Sequence, residues 1–142
     1  MPYDSGGLEI LDEDECRALL AKAPLGRIVF TQRALPAIQP VNFTVDNGDV
    51  IIRAAQGTKL AAAARNAIVA FEVDDFDEAS RTGWSVVIVG PARVVSDPKE
   101  VARLQELPLR PWAPGRREHF IRIRPTLISG RRIPEHSAPP PS

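Results

Sequence analysis

The chain reads as a mainly β (α+β) domain, mostly antiparallel with three short helices, and three observations predict it. Six short runs rich in β-branched and aromatic residues follow one another after Gly26, the tetrapeptide Asp46-Asn47-Gly48-Asp49 marks a tight hairpin, and helical patterning is confined to short stretches. Six strands at this spacing suggest a barrel or a sandwich.

The elements follow in order. Asp12 with Glu15 three residues later is a capping-box signature, and Cys16, Leu19 and Leu20 recur at helical spacing up to Pro24, which predicts a helix over Glu13 to Lys22. Cys16 lies on its apolar side, where a packed thiol is inert. The strands are expected at Arg27 to Thr31, Ala37 to Val45, Val50 to Ala54, Ala67 to Val73, Trp84 to Val95 and His119 to Ile128. Asn47-Gly48 readily supplies the positive φ angles of a tight turn, so the second and third strands pair antiparallel. The alanine-rich stretch Thr58 to Asn66 and the segment Asp97 to Leu107, with Pro98 at its first position, are the other two helical stretches. Residues 1–133 form the folded domain, and residues 134–142, ending in Pro139-Pro140-Pro141-Ser142, are expected to be a disordered tail.

Composition narrows the function. The 142 residues make one domain with a real core, and a single cysteine and two histidines, His119 and His136, argue against a disulfide or a structural metal. No apolar run approaches the roughly 18 residues of a membrane span, and acids at Asp4, Glu9 and Asp12 to Glu15 stand where a secretory signal would be basic and then apolar. A cytoplasmic protein is expected. Eighteen basic groups against 18 acidic ones argue against a nucleic-acid binder. The balance is locally uneven: eight arginines lie between Arg103 and Arg132, while Glu72 to Glu78 holds five acids and no base. Those arginines either border a ligand groove or pair with the acidic segment.

Three segments carry candidate chemistry. In Arg53-Ala54-Ala55-Gln56-Gly57-Thr58-Lys59, a strand ends in an arginine and a Gly-containing loop opens a helix, so backbone N–H groups, the helix dipole, two cations and a hydroxyl converge on an anion. The alternative is that Thr58 caps the helix while Arg53 and Lys59 are solvated. In Gln39-Pro40-Val41-Asn42-Phe43, Val41, Phe43 and Val45 share one face, and Pro40, which lacks a ladder donor, places the strand at an edge or a bulge. Asn42 either bonds a planar ligand edge or lies on a wet outer face. In Gly83-Trp84-Ser85-Val86-Val87-Ile88-Val89-Gly90, Trp84 stacks on a flat ligand or closes one end of a barrel.

Taken together, Gly26-Arg27-Ile28-Val29-Phe30, Pro40-Val41-Asn42-Phe43, Arg53 with Gly57-Thr58-Lys59-Leu60, Val69-Ala70-Phe71-Glu72-Val73 and Gly83-Trp84-Ser85-Val86-Val87 resemble the pyridoxamine 5′-phosphate oxidase-like family, over about Leu8 to Ile133. The resemblance implies a six-stranded antiparallel split β-barrel that forms a homodimer, with FMN in a groove between the subunits. It implies that Ile38, Pro40, Val41 and Asn42 lie along the isoalloxazine ring, that Arg53, Ala54, Thr58 and Lys59 hold the phosphate, and that Trp84 and Ser85 approach from the partner subunit. The run Ile128 to Ile133 does not reproduce the segment that binds the substrate's phosphate in the true oxidases, which argues against pyridoxamine phosphate as the substrate. An oxidoreductase acting on another small molecule is expected, and no side-chain acid, base or nucleophile is then required. One alternative is the 8-hydroxy-5-deazaflavin cofactor, whose acidic tail would draw on the arginine-rich stretch with Trp112 and Arg131 at the groove. Others are a non-catalytic flavin-storage protein and a haem-binding relative, the last disfavoured by the lack of an identifiable axial ligand.

Overall fold

The computed structural model of the chain describes residues 2–55, 60, 65–109 and 118–135. The elements are β1 (Glu9–Leu11), α1 (Glu13–Lys22), β2 (Gly26–Gln32), β3 (Leu35–Val41), β4 (Phe43–Asp46), β5 (Asp49–Ala55), β6 (Ala67–Asp77), β7 (Thr82–Val95), α2 (Pro98–Leu104), β8 (Glu118–Ile123) and β9 (Leu127–Ile133). Local chemistry sets the helix starts. The Asp12 carboxylate accepts from the Glu15 N–H at 2.8 Å, and that of Asp97 from Lys99 at 3.2 Å, each satisfying an N–H that a helix start leaves over.

All strand pairs are antiparallel, in the order β3-β2-β6-β7-β8-β5-β4, with β9 on β7 and β1 on β9. The end strands β3 and β4 are consecutive in the chain, separated by Asn42 alone. The sheet therefore curls until its ends meet through the chain, in the manner of a split barrel. The split itself lies on β7. One edge of this long strand pairs with β6 from Thr82 to Ala92, while the other pairs first with β9 (Gly83 to Val89) and then with β8 (Ala92 to Val95). At the fork the β8–β9 connection lies flat on β7, Arg124 N–H bonding to Pro91 O and Thr126 N–H to Val89 O. Gly90 is required there, because a Cβ on it would sit 1.8 Å from the Arg124 carbonyl oxygen.

The barrel interior is filled by alternate residues of each strand: Ile28 and Phe30, Val69, Phe71 and Val73, Val86 and Ile88, Val50 and Ile52, Ile121 and Ile123. Phe43 and Phe71 meet edge to face at 4.8 Å between centroids. Cys16 and Leu20 of α1 join this core, and α2 covers a second cluster of Ile51, Val95, Leu104, Leu109 and Phe120. Among the described residues no helix is long and apolar enough to cross a membrane.

The six-stranded expectation gains three strands, for identifiable reasons. The run expected from Ala37 to Val45 is cut at Asn42 into β3 and β4, which lie at opposite ends of the strand order. The run from His119 is cut at residues 124–126, and β1 is a three-residue strand too short to register as a pattern. Strand β6 continues to Asp77, so the acidic stretch from Glu72 is largely strand rather than loop, held by its ladder to β7 and by Arg27. The hairpin at Asn47-Gly48 forms with φ of 51° and 83°. The helix expected over Thr58 to Asn66 falls mostly outside the described residues; Leu60 is helical and buried. Residues 136–142 of the expected tail also lie outside them.

Candidate functional site

Strand β5 carries Arg53 outward, opposite Phe120 of β8. Its guanidinium carbon lies 5.3 Å from the Phe120 ring centroid, and Nη1 donates to the Leu109 carbonyl at 2.8 Å. Ring and carbonyl fix the side chain before any ligand arrives. Ala54, the next residue, faces inward and is buried. Thr58, Lys59 and Trp112 lie outside the described residues.

Strand β3 is a sheet edge, which explains how Pro36 and Pro40 are tolerated. Ile38 is 64% exposed and Pro40 is exposed, while Val41 points into the core. Asn42 is partly buried at the junction of β3 and β4. One residue beyond the last β4–β5 pair, Phe43 with Ile52, stand Asn42 and Arg53, so β3 feeds directly into the strand end that carries the arginine.

The remaining candidates lie elsewhere. On β7 Trp84 stands between Asp75 and Arg132, and Ser85 between Asp74 and Arg131. Trp84 packs against one end of the core and lines a cleft of about 380 Å³ with Asp75, Asp77, Thr82, Arg132 and Glu135. Arg131 is oriented by Asp4, whose Oδ2 accepts from its Nε at 3.2 Å, while the Asp4 Oδ1 accepts from Gly6 and Leu8 N–H, both at 2.9 Å. The backbone bond from Leu8 is the first cause that holds the Asp4 carboxyl below its usual range. The Arg53 row meets β7 at Val95, at the other end of that strand from Trp84. Eleven residues separate them, about 36 Å along the strand at about 3.3 Å per residue.

One outward face of the sheet carries an apolar row. Ile38, Val29, Ala70, Val89 and Leu127 stand in direct cross-strand register over β3, β2, β6, β7 and β9, all pointing outward. The neighbouring rows of the same face hold Pro40, Arg27, Glu72 and Val87, then Asp74, Ser85 and Arg131. Arg27 Nη1 lies 3.0 Å from both Glu72 Oε1 and Asp74 Oδ2. Burial first, then the hydrogen bond and charge of Asp74, push the Glu72 carboxyl up to about 7 against the pull of Arg27.

The arginine-rich C-terminal half does not pair with the acidic segment among the described residues. Arg122 is the hub of a separate network: Nη2 to Asp46 at 2.8 Å, Nη1 to Asp49 at 2.9 Å and Nε to Glu100 at 2.9 Å. Asp46 also accepts both Arg103 nitrogens, and Glu100 accepts Arg93. The network fastens α2 to the β4–β5 hairpin. Sequence reasoning missed both this hub and the Arg27 cluster, since Arg122 and Arg27 each reach carboxylates at least 22 positions away; only the i, i+2 spacing of Glu72 and Asp74 was visible.

A family model described as pyridoxamine 5′-phosphate oxidase matches residues 12–132. A relative, the uncharacterized protein Rv0080 of Mycobacterium tuberculosis, is 46% identical over 135 residues, spanning 92% of this chain and 88% of its own. Among solved structures, an FAD binding protein from Mycobacterium smegmatis is 44% identical with a TM-score of 0.77, covering 89% of this chain and 100% of its own. A Corynebacterium glutamicum protein provisionally assigned as a pyridoxamine 5′-phosphate oxidase is 36% identical with a TM-score of 0.81, covering 92% and 96%.

Proposed function

Because the chain belongs to the pyridoxamine 5′-phosphate oxidase family, we propose that it is a flavin-dependent oxidoreductase working as a homodimer, with FMN between two copies and a small molecule as substrate. One observation carries this reading. Of the residues assigned to a single cofactor, Arg53 with Ala54 and Trp84 with Ser85 and Arg131 form two sets at opposite ends of β7, while the edge strand from Ile38 to Asn42 runs between them. A second copy brings the two sets together, and the apolar row from Ile38 to Leu127 is a surface on which it can pack.

The donor set fits a flavin phosphate. Arg53 is held in place by Phe120 and Leu109, and Thr58 and Lys59 follow it in sequence with a hydroxyl and a second cation. The edge strand β3 offers unpaired backbone along which a ring edge is bonded, and Ile38 an apolar surface for its face. Trp84, Ser85 and Arg131 of the second copy close the other side. A bound flavin supplies the hydride or electron chemistry, and the chain supplies binding, orientation and electrostatics.

A second reading, FAD in place of FMN, is favoured by the description of the 44% identical Mycobacterium smegmatis structure as FAD-binding. Absorbance of the purified protein and mass spectrometry of the released chromophore decide among FMN, FAD and 8-hydroxy-5-deazaflavin. A protein that is colourless and binds none of them in titration refutes the proposal. Arg53→Ala is expected to weaken FMN about 10- to 100-fold and riboflavin hardly at all, as a charge-assisted bond of about 1.5–3 kcal/mol goes to the phosphate alone. Equal weakening of both ligands contradicts the phosphate assignment.

A further inference from the structure

Resting on the homodimer reading, we propose that Glu72 is a proton-operated switch on the face where two copies meet: protonated, it lets them close, and ionised, it drives them apart. Geometry makes the case. Glu72 and Asp74 are outward neighbours on β6 and share one nitrogen of Arg27, at 3.0 Å each, so one cation serves two carboxylates. Among the described residues around Glu72, β2 presents Arg27, β6 Asp74, β9 Arg131 and the N-terminal segment Asp4, whereas β3 presents Pro40 and β7 presents Val87 and Ser85. With Glu72 ionised, three carboxylates face two guanidinium groups, and each copy brings a net negative charge to the contact. With Glu72 protonated the face is balanced. The upward displacement of the Glu72 carboxyl, caused by burial and by Asp74, places the change near neutral pH.

The occupant of this face is a second copy. Five apolar residues stand in register across five strands, with Ile38 and Leu127 at 64% and 65% exposure. Among the described residues neither α1 nor α2 covers the row, since α1 sets Cys16 against the inward Gly130 and α2 lies over Ile51, Val95 and Phe120. Near-balanced charge selects no strongly charged partner and suits a surface that meets itself.

Association buries Glu72 further and so favours its protonated form. A carboxyl raised in this way contributes to association below its free-chain titration, and the contribution is lost as pH rises through that range. Two copies each release one proton on separating, so the dimer Kd rises by up to about 100-fold per pH unit above the titration.

Sedimentation velocity over a dilution series of the full chain at about pH 6 and about pH 8.5 tests the switch. Wild type is expected to show a Kd at least tenfold higher at the upper pH. Glu72→Gln, a neutral stand-in for the protonated acid, is expected to associate equally at both, and Asp74→Asn to move the transition to lower pH. An unchanged wild-type Kd, a dimer whole at both values down to nanomolar concentration, or a pH dependence that survives Glu72→Gln overturns the switch and leaves the dimer standing. A chain monomeric at both values up to about 100 μM overturns the homodimer reading itself.

Discussion

Asp46→Asn tests how the α2 side of the barrel is held. Asp46 is buried, its side chain 9% exposed, and receives a two-pronged contact from Arg103 at 2.8 and 2.9 Å and a third bond from Arg122 at 2.8 Å. The hydrogen bonds from Arg103 first and Arg122 second hold its carboxyl at about 2 against an ordinary 3.8. At about 1.36 kcal/mol per pKa unit, the ionised form is worth about 2 kcal/mol to the folded state. Removing one partner of a buried pair costs about 3–5 kcal/mol when the other is stranded. Arg122 retains Asp49 and Glu100, so the lower figure applies. A folded-state carboxyl below its unfolded value contributes fully above about pH 4 and loses its contribution as pH falls through about 2. Urea unfolding at one fixed protein concentration is therefore expected to separate wild type from Asp46→Asn by about 2 kcal/mol at pH 7, with the gap narrowing toward pH 2. A gap below about 0.5 kcal/mol at pH 7, or one that is the same at pH 6 and pH 2.5, would falsify the reasoning.

Other substitutions probe separate parts of the molecule. Gly90→Ala drives a Cβ to 1.8 Å from the Arg124 carbonyl oxygen, a backbone atom that cannot swing aside, and threatens the two bonds that seat the β8–β9 connection. A loss of about 3–5 kcal/mol is expected in thermal or urea unfolding, and a loss under 1 kcal/mol would mean that the fork is not closely packed. Leu127→Glu, at a position 65% exposed in the single chain, is expected to leave monomer stability within about 0.5 kcal/mol while abolishing association in light scattering. Cys16 is fully buried, and burial first and then Asp12 and Glu15 push its thiol up, so thiol reagents should modify it only after denaturant is added.

What was legible in the sequence was local. The Asp12 cap on Glu15 marked the start of α1, and Asn47-Gly48 the β4–β5 register, because both signals act within four residues. The tight turn between β2 and β3 was hidden, since its positive φ angles fall on Arg33 and Ala34, residues with no turn preference. Alternation placed Val41, Phe43 and Val45 on one face, which packs on the core, but cannot tell which strands are neighbours. Nothing in the run from Ala37 to Val45 announces that Asn42 divides the two ends of the sheet. The candidate site was legible by residue type at Arg53 and Trp84, whereas Arg27, Glu72 and Asp74 looked like ordinary strand and loop charges until the register set them side by side.

The same register constrains how the site is built. A barrel this small fills its interior with Phe43, Phe71, Phe120's neighbours on β8 and the aliphatic residues around them, leaving no room for a flavin inside. Binding must then be external, where a single convex surface offers one side of a groove at most. The Arg53 row and Trp84 lie toward opposite ends of β7, about 36 Å apart along the strand. In the proposed homodimer, two copies meeting over the row from Ile38 to Leu127 would convert two surfaces into a cleft, each cleft drawing one set of residues from either chain. On that proposal cofactor affinity and association would be one linked equilibrium: whatever loosens the face, whether Leu127→Glu or ionisation of Glu72, is expected to release flavin in proportion to the dimer it dissociates, as read by flavin fluorescence alongside light scattering.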